Sequence, residues 1–178
     1  MKKNVSSLFW ESALQKVLLH LARHPQTEFY GREAAVRSGV GKSAANYALR
    51  RLADMGWVTV RSSGRMKHYR VVSGHPAVCQ VKITDTIMGL AGFLKKLNPL
   101  SIKIVLYGSA ALGQDQEDSD VDILVLSNQP EAARRAALIF APKIQTVVKD
   151  PVEWAGMQKR GEIFYHEVER GMVLWQKT

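Results

Sequence analysis

Residues Ile102 to Leu126, IKIVLYGSAALGQDQEDSDVDILVL, constrain this chain more than any other stretch. An apolar, β-branched run, 102–107, ends on Gly108-Ser109. A polar, acidic segment follows, and Asp120-Val121-Asp122 leads into a second apolar run, 123–126. Both run lengths suit buried strands. Alternation along the second strand puts Asp120 and Asp122 on one face and Val121 on the other. Two carboxylates about 7 Å apart on a strand face repel each other unless a cation lies between them. Such hard oxygen donors suit Mg²⁺, which takes one or two carboxylates together with substrate phosphates. Gly108 permits close approach of backbone to a phosphate, and Ser109 adds a hydroxyl and an amide.

Gly108-Ser109, ten intervening residues (110–119) and Asp120-Val121-Asp122 resemble the signature of the DNA polymerase β-like nucleotidyltransferase superfamily. The flanking Tyr-Gly-Ser and Asp-Ser-Asp-Val-Asp-Ile-Leu-Val are similar to the minimal nucleotidyltransferases. The likeness extends over about residues 84–177. It implies two Mg²⁺ ions between the Asp pair and a nucleoside triphosphate, in-line attack of a hydroxyl acceptor on the α-phosphorus, and release of pyrophosphate. It implies that Gly108 and Ser109 hold the β- and γ-phosphates and that Asp120 and Asp122 bind metal. Lys103 and Arg134 are cations available for phosphate charge, although nothing in the sequence places them.

The chain departs from that pattern on the third strand, Lys143 to Val148. The family carries a third carboxylate there, and the matching position is Gln145. Glutamine is a weaker ligand for Mg²⁺ and cannot act as a base, so loss of the third acid weakens catalysis more than nucleotide binding. Asp150 or Glu153 could substitute only with a different local backbone. There is also little room for the helical acceptor-binding domain of larger relatives. The acceptor is therefore expected from a partner chain, a dimer mate or bound nucleic acid.

The net charge of +9 is informative once divided. Residues 1–73 hold 13 Lys/Arg against 4 Asp/Glu, and residues 74–178 hold 12 of each. All the excess positive charge lies in the first part, which points to an anionic partner, double-stranded DNA first. Apolar spacing predicts helices over Trp10–His24, Gly31–Ser38 and Lys42–Met55. Trp57–Arg61 and Met66–Val71 then flank Ser62-Ser63-Gly64-Arg65 as a hairpin. Gly31-Arg32-Glu33-Ala34-Ala35, Ser38-Gly39-Val40, Ala48-Leu49-Arg50-Arg51-Leu52, Met55-Gly56-Trp57-Val58 and Tyr69 resemble a winged helix-turn-helix domain over about residues 10–72. Lys42, Ser43, Asn46, Tyr47, Arg50 and Arg51 are the polar members left free on the third helix. Asn and Arg read adenine and guanine edges, and Lys and Ser suit phosphates. Arg61, Arg65, Lys67, His68 and Arg70 on the hairpin are candidates for backbone or minor-groove contact. Gly41-Lys42-Ser43 is not a phosphate-binding P-loop, because that motif needs Gly where Val36 stands and a preceding strand.

The expected class is α+β: a winged helix-turn-helix over 1–73, then a linker helix (Val78–Leu97) and a small nucleotidyltransferase α/β domain with a mixed sheet over 74–178. Helices are also expected over Pro130–Phe140, Val152–Lys159 and Glu162–Arg170, with strands at 144–148 and 172–175. No apolar run approaches the ~20 residues of a membrane span. The basic start, MKKNVSSLFW, lacks the apolar segment of a signal peptide. Cys79 is the single cysteine, which fits a reducing cytoplasm. The expected function is a DNA-binding transcriptional regulator whose second domain binds Mg–NTP with weak or lost nucleotidyl transfer. The alternatives are an active transferase that moves AMP to a partner protein or RNA, as minimal nucleotidyltransferase antitoxins do to HEPN-type toxins, or an inactive fold used for homodimerisation.

Overall fold

The computed structural model describes residues 9–177, so all of the basic start except Phe9 and Trp10 lies outside the described residues. The chain divides into two compact units, Met1–Asp85 and Thr86–Thr178. The expected change of domain at 73–74 falls where the hairpin ends. The units divide later, inside the helix that follows.

In the first unit, α1 (Ala13–Arg23) starts at a reciprocal cap. Ser12 Oγ accepts from Gln15 N at 3.2 Å, and Gln15 Oε1 accepts from Ser12 N at 3.1 Å. Such caps are worth about 1 kcal/mol. Its apolar stripe buries Val17, Leu18, Leu21 and Ala22. A two-residue strand, β1 (Phe29–Tyr30), precedes α2 (Gly31–Arg37), and Gly39 (φ +64°) makes the turn towards α3 (Lys42–Asp54). Ala34 and Ala35 of α2 pack with Ala45, Ala48, Leu49 and Leu52 of α3 in one core with α1. Small side chains at this crossing let the helices approach closely. Gly31 allows the closest approach, since a Cβ there would lie 2.2 Å from Asn46 Oδ1.

The hairpin β2 (Val58–Ser63) and β3 (Met66–Val71) is antiparallel, and β1 adds to the other edge of β3, giving the order β1-β3-β2. The next helix, α4 (Pro76–Gly89), closes the first unit. Val78 enters its core, and Asp85 accepts from Trp10 Nε1 at 3.0 Å and from Arg23 Nη2 at 2.6 Å.

In the second unit, α5 (Ala91–Leu97) is separate from α4. The single helix expected over 78–97 is therefore broken at Leu90. Its first turns serve one core (Val78), and Leu90, Phe93 and Leu97 serve another. Strands β4 (Lys103–Tyr107), β5 (Val121–Leu126), β6 (Ile144–Lys149) and β7 (Met172–Gln176) form a mixed sheet in the order β6-β5-β4-β7. β4 runs antiparallel to β5 and β7, and β5 runs parallel to β6. A four-residue helix, α6 (Gly108–Ala111), follows β4 directly. The remaining helices are α7 (Pro130–Ala137), α8 (Pro151–Arg160) and α9 (Ile163–Glu169).

One sheet face carries Ile104, Leu106, Ile123, Val125 and Val148 against α5 and α7. The other carries Val105, Tyr107 and Leu124 against Val168, Trp154 and Phe164 of α8 and α9. Gly171 joins α9 to β7 with no space for a side chain, because a Cβ would come 2.5 Å from the Leu106 carbonyl oxygen. Gly171→Ala is expected to destabilise the protein by about 1–3 kcal/mol through this overpacking against backbone, read from urea unfolding.

Candidate functional site

The acidic site forms at one end of the second unit's sheet. Tyr107 stands opposite Asp122, and Asp122 stands opposite Gln145, so one row crosses β4, β5 and β6. Val121 packs into the core on one face and Leu124 into the core on the other, which puts Asp122 on the face of α8 and α9. At the end of β4 the chain turns through Gly108 (φ +68°). A Cβ at that position would lie 2.8 Å from Asp122 Oδ2. Left-handed backbone and the close carboxylate both require glycine here. Ser109 follows in α6.

The electrostatics of the row are unfavourable without a cation. Burial first, then Asp120, then Glu167 push the Asp122 carboxyl above the usual range. Burial, Asp122 and Glu167 push the Tyr107 phenol up to about 12. Glu167, on α9, was not singled out in the sequence. Its position in a helical pattern says nothing of the sheet end it faces.

Asp120 is exposed and its Oδ2 accepts from Gln145 Nε2 at 2.6 Å. Among the described residues no three His, Cys, Asp or Glu side chains gather into a metal-binding group. The donor set fits one hard cation between Asp120 and Asp122, completed by phosphate oxygens. It does not supply the third acidic ligand of a two-metal site, because Gln145 is neutral and already donates to Asp120.

The other acids and cations considered from sequence lie elsewhere. Asp150 follows Lys149, which stands opposite Leu126 at the far end of β5 from Asp122. Asp150 Oδ1 caps α8 by accepting from Val152 N and Glu153 N at 2.8 Å each, and Glu153 Oε2 accepts from Asp150 N at 3.3 Å. Lys103 also stands opposite Leu126 and pairs with Glu169 at 3.4 Å. Arg134 pairs with Glu131 and donates to the Val148 carbonyl. Beside Gly108 and Ser109 there is instead a cleft of about 680 Å³, also lined by Gln114, His166, Glu167 and Arg170.

In the first unit, Lys42, Ser43, Tyr47, Arg50 and Arg51 are exposed on α3, with Tyr47 60% exposed. Ser43, Tyr47 and Arg50 follow helical spacing along one stripe. Asn46 is half-buried, and its amide oxygen lies against Gly31. On the hairpin, Arg65, Lys67 and Arg70 are exposed, and His68 is partly covered. Arg61 is exposed but engaged: its Nε donates to Glu28 Oε1 and Oε2 at 3.2 and 3.1 Å, and its Nη2 to Oε2 at 2.5 Å. That hydrogen bonding holds the Glu28 carboxyl below its usual range.

A nucleotidyltransferase domain family model matches residues 87–169, and a MarR family model matches residues 16–66. Residues 16–66 are a MarR-type winged helix-turn-helix, and residues 87–169 are a DNA polymerase β-like nucleotidyltransferase domain. The MarR-type match runs from within α1 to the first residue of β3. The nucleotidyltransferase match runs from the end of α4 through α9. Among solved structures, the heme sensor protein PefR from Streptococcus agalactiae in complex with heme is 14% identical over 51% of this chain and 67% of that one, with a TM-score of 0.37. That likeness is too slight to carry an argument. No curated protein matches the chain.

No single helix among the described residues is long and apolar enough to cross a membrane.

Proposed function

We propose that this chain is a DNA-binding transcriptional regulator of the cytoplasm whose nucleotidyltransferase domain binds a Mg–nucleoside triphosphate and transfers nucleotide slowly or not at all. The observation that carries this reading is the neutral Gln145 bonded to Asp120 beside an otherwise retained Gly108, Ser109, Asp120 and Asp122. Mg²⁺, when bound, would neutralise charge between the carboxylates and the phosphates. Asp120 and Asp122 would hold it. Gly108 sets its backbone beside the Asp122 carboxylate, where a phosphate bound to that metal would lie, and Ser109 offers its hydroxyl. Gln145 cannot take the proton of an attacking hydroxyl.

Lys42, Arg50, Arg51, Arg65, Lys67 and Arg70 are the exposed cations we assign to the DNA surface, with Ser43, Asn46 and Tyr47 as candidates for further contact. A MarR-type domain implies DNA binding, often as a dimer. A homodimer is part of the proposal. The second reading is an active transferase that modifies a partner protein or RNA, and the retained Gly-Ser and Asp pair favours it.

The DNA reading is tested on the full chain with duplex DNA. Six phosphate contacts predict an affinity loss on the order of 10³-fold between 50 and 200 mM salt. Arg50→Ala is expected to weaken binding by about 1–3 kcal/mol, and Glu11→Ala not at all. Arg61→Ala should weaken it less than Arg65→Ala, since Glu28 already holds Arg61. Absence of binding at low salt would remove the regulator reading.

A further inference from the structure

We propose that Arg170 and His166 supply the side-chain donors for the terminal phosphates of the nucleotide, a role that neither Lys103 nor Arg134 is placed to fill. This rests on the reading that the domain binds Mg–nucleoside triphosphate.

The placement follows from the backbone. Leu106 of β4 stands opposite Met172 of β7 in an antiparallel pair. Arg170, the C-cap of α9, and Gly171 lead directly into β7, and both line the cleft that Gly108 lines. Gly171 fixes the approach, since a Cβ there would meet the Leu106 carbonyl oxygen at 2.5 Å and Val105 Cγ1 at 2.8 Å. The end of α9 is thereby held against the Gly108 turn, and both Arg170 and His166 line the cleft of about 680 Å³ that Gly108 and Ser109 also line. α6 contributes no cation: its residues are Gly108, Ser109, Ala110 and Ala111. A loop with backbone amides and one hydroxyl leaves several phosphate oxygens without donors. Arg170 offers a guanidinium suited to two phosphate oxygens at once, and His166 a ring N–H.

Glu167 lines the same cleft and adds to the burial and the neighbouring aspartates that act on Asp122 and Tyr107. Its carboxylate would repel a phosphate that approached it, so the polyphosphate is directed towards Arg170 and the metal edge towards the acids. The cleft therefore selects ligands by phosphate number. With Gly108 and Ser109 taking the β- and γ-phosphates, a triphosphate sets those groups in the cleft beside Arg170, and a monophosphate has none to set there.

The test is calorimetric titration of ATP and of AMP, each with Mg²⁺, into the full chain. The proteins are wild type, Arg170→Gln, Arg170→Lys, His166→Gln and Lys103→Gln. Loss of charge-assisted hydrogen bonds predicts about 10–100-fold weaker ATP binding by Arg170→Gln. AMP affinity should change by no more than about twofold, as for an uninvolved surface residue. Arg170→Lys should recover part of the ATP affinity, His166→Gln should weaken ATP binding in the same direction, and Lys103→Gln should leave it unchanged. Equal ATP affinity in wild type and Arg170→Gln overturns the assignment while leaving the nucleotide reading intact. Equal losses for ATP and AMP also overturn it. A wild type that binds no ATP removes the nucleotide reading and this inference together.

Discussion

Gln145→Glu is expected to raise nucleotidyl transfer on a supplied acceptor by about 10²–10⁴-fold, the usual worth of general-base assistance. In-line transfer requires the attacking hydroxyl to lose its proton and requires metal on the nucleophile's side. A carboxylate opposite Asp122 in β6 would supply both, and the present amide supplies neither. The same change removes the 2.6 Å bond from Gln145 Nε2 to Asp120 and sets three acids together. The metal-free variant should therefore be less stable than wild type and gain more from added Mg²⁺. Pyrophosphate release with one acceptor, compared among wild type, Gln145→Glu and Gln145→Asp, checks the first part. Thermal unfolding with and without Mg²⁺ checks the second. A wild type already fast, with little effect at 145, would favour the active-transferase reading. Asp150→Asn and Glu153→Gln should alter stability rather than transfer, because they form the cap of α8.

Asp122→Asn is expected to abolish Mg²⁺-dependent nucleotide binding and at the same time to stabilise the metal-free protein at neutral pH. The Asp122 carboxyl is raised by burial, Asp120 and Glu167. A carboxyl raised in the folded state keeps its proton there while the unfolded chain has released it. Stability then falls as pH rises from the ordinary carboxylate range through the raised folded value. Below that window both states are protonated and the penalty is absent; above it the penalty is complete. Asparagine never pays it. The melting temperature of Asp122→Asn should thus exceed that of wild type at pH 7, and the difference should shrink as pH falls through the window. A variant less stable than wild type at neutral pH would show that Asp122 holds the fold together.

Much of the fold was legible because short-range patterns carry it. The strand, Gly108, spacer and Asp pair announce themselves through period-2 alternation and through one glycine at a turn. α1 to α3 do so through apolar spacing, with Pro25 after α1 and glycines at the ends of α2 and α3. The break at Leu90 was not legible. Ile83, Ile87, Leu90, Ala91 and Leu94 make one continuous stripe that runs through the break. β1, with two residues, pairs with β3 and has no periodicity of its own to read.

The site was legible in its strands and not in what faces them. Asp122 and Gln145 are fixed by register, and Asp120 and Gly108 adjoin the paired strands. Glu167 and His166 come from α9 and Arg170 from its C-cap, and their sequence shows a helix but not the sheet end it packs on. Lys103 and Arg134, the cations named from sequence, pair with Glu169 and with Glu131 and the Val148 carbonyl, partners that no sequence spacing announces. Asn46 belongs to the polar side of α3 by spacing, yet its amide oxygen lies against Gly31, and Arg61, a hairpin candidate for backbone or minor-groove contact, is engaged by Glu28.

Titration of ATP into the full chain, with and without Mg²⁺, for wild type and for the Asp120→Asn, Asp122→Asn double variant, tests the central claim most directly. Wild type should show saturable binding that depends on Mg²⁺ and that the double variant lacks. Equal affinity in the two proteins would contradict it.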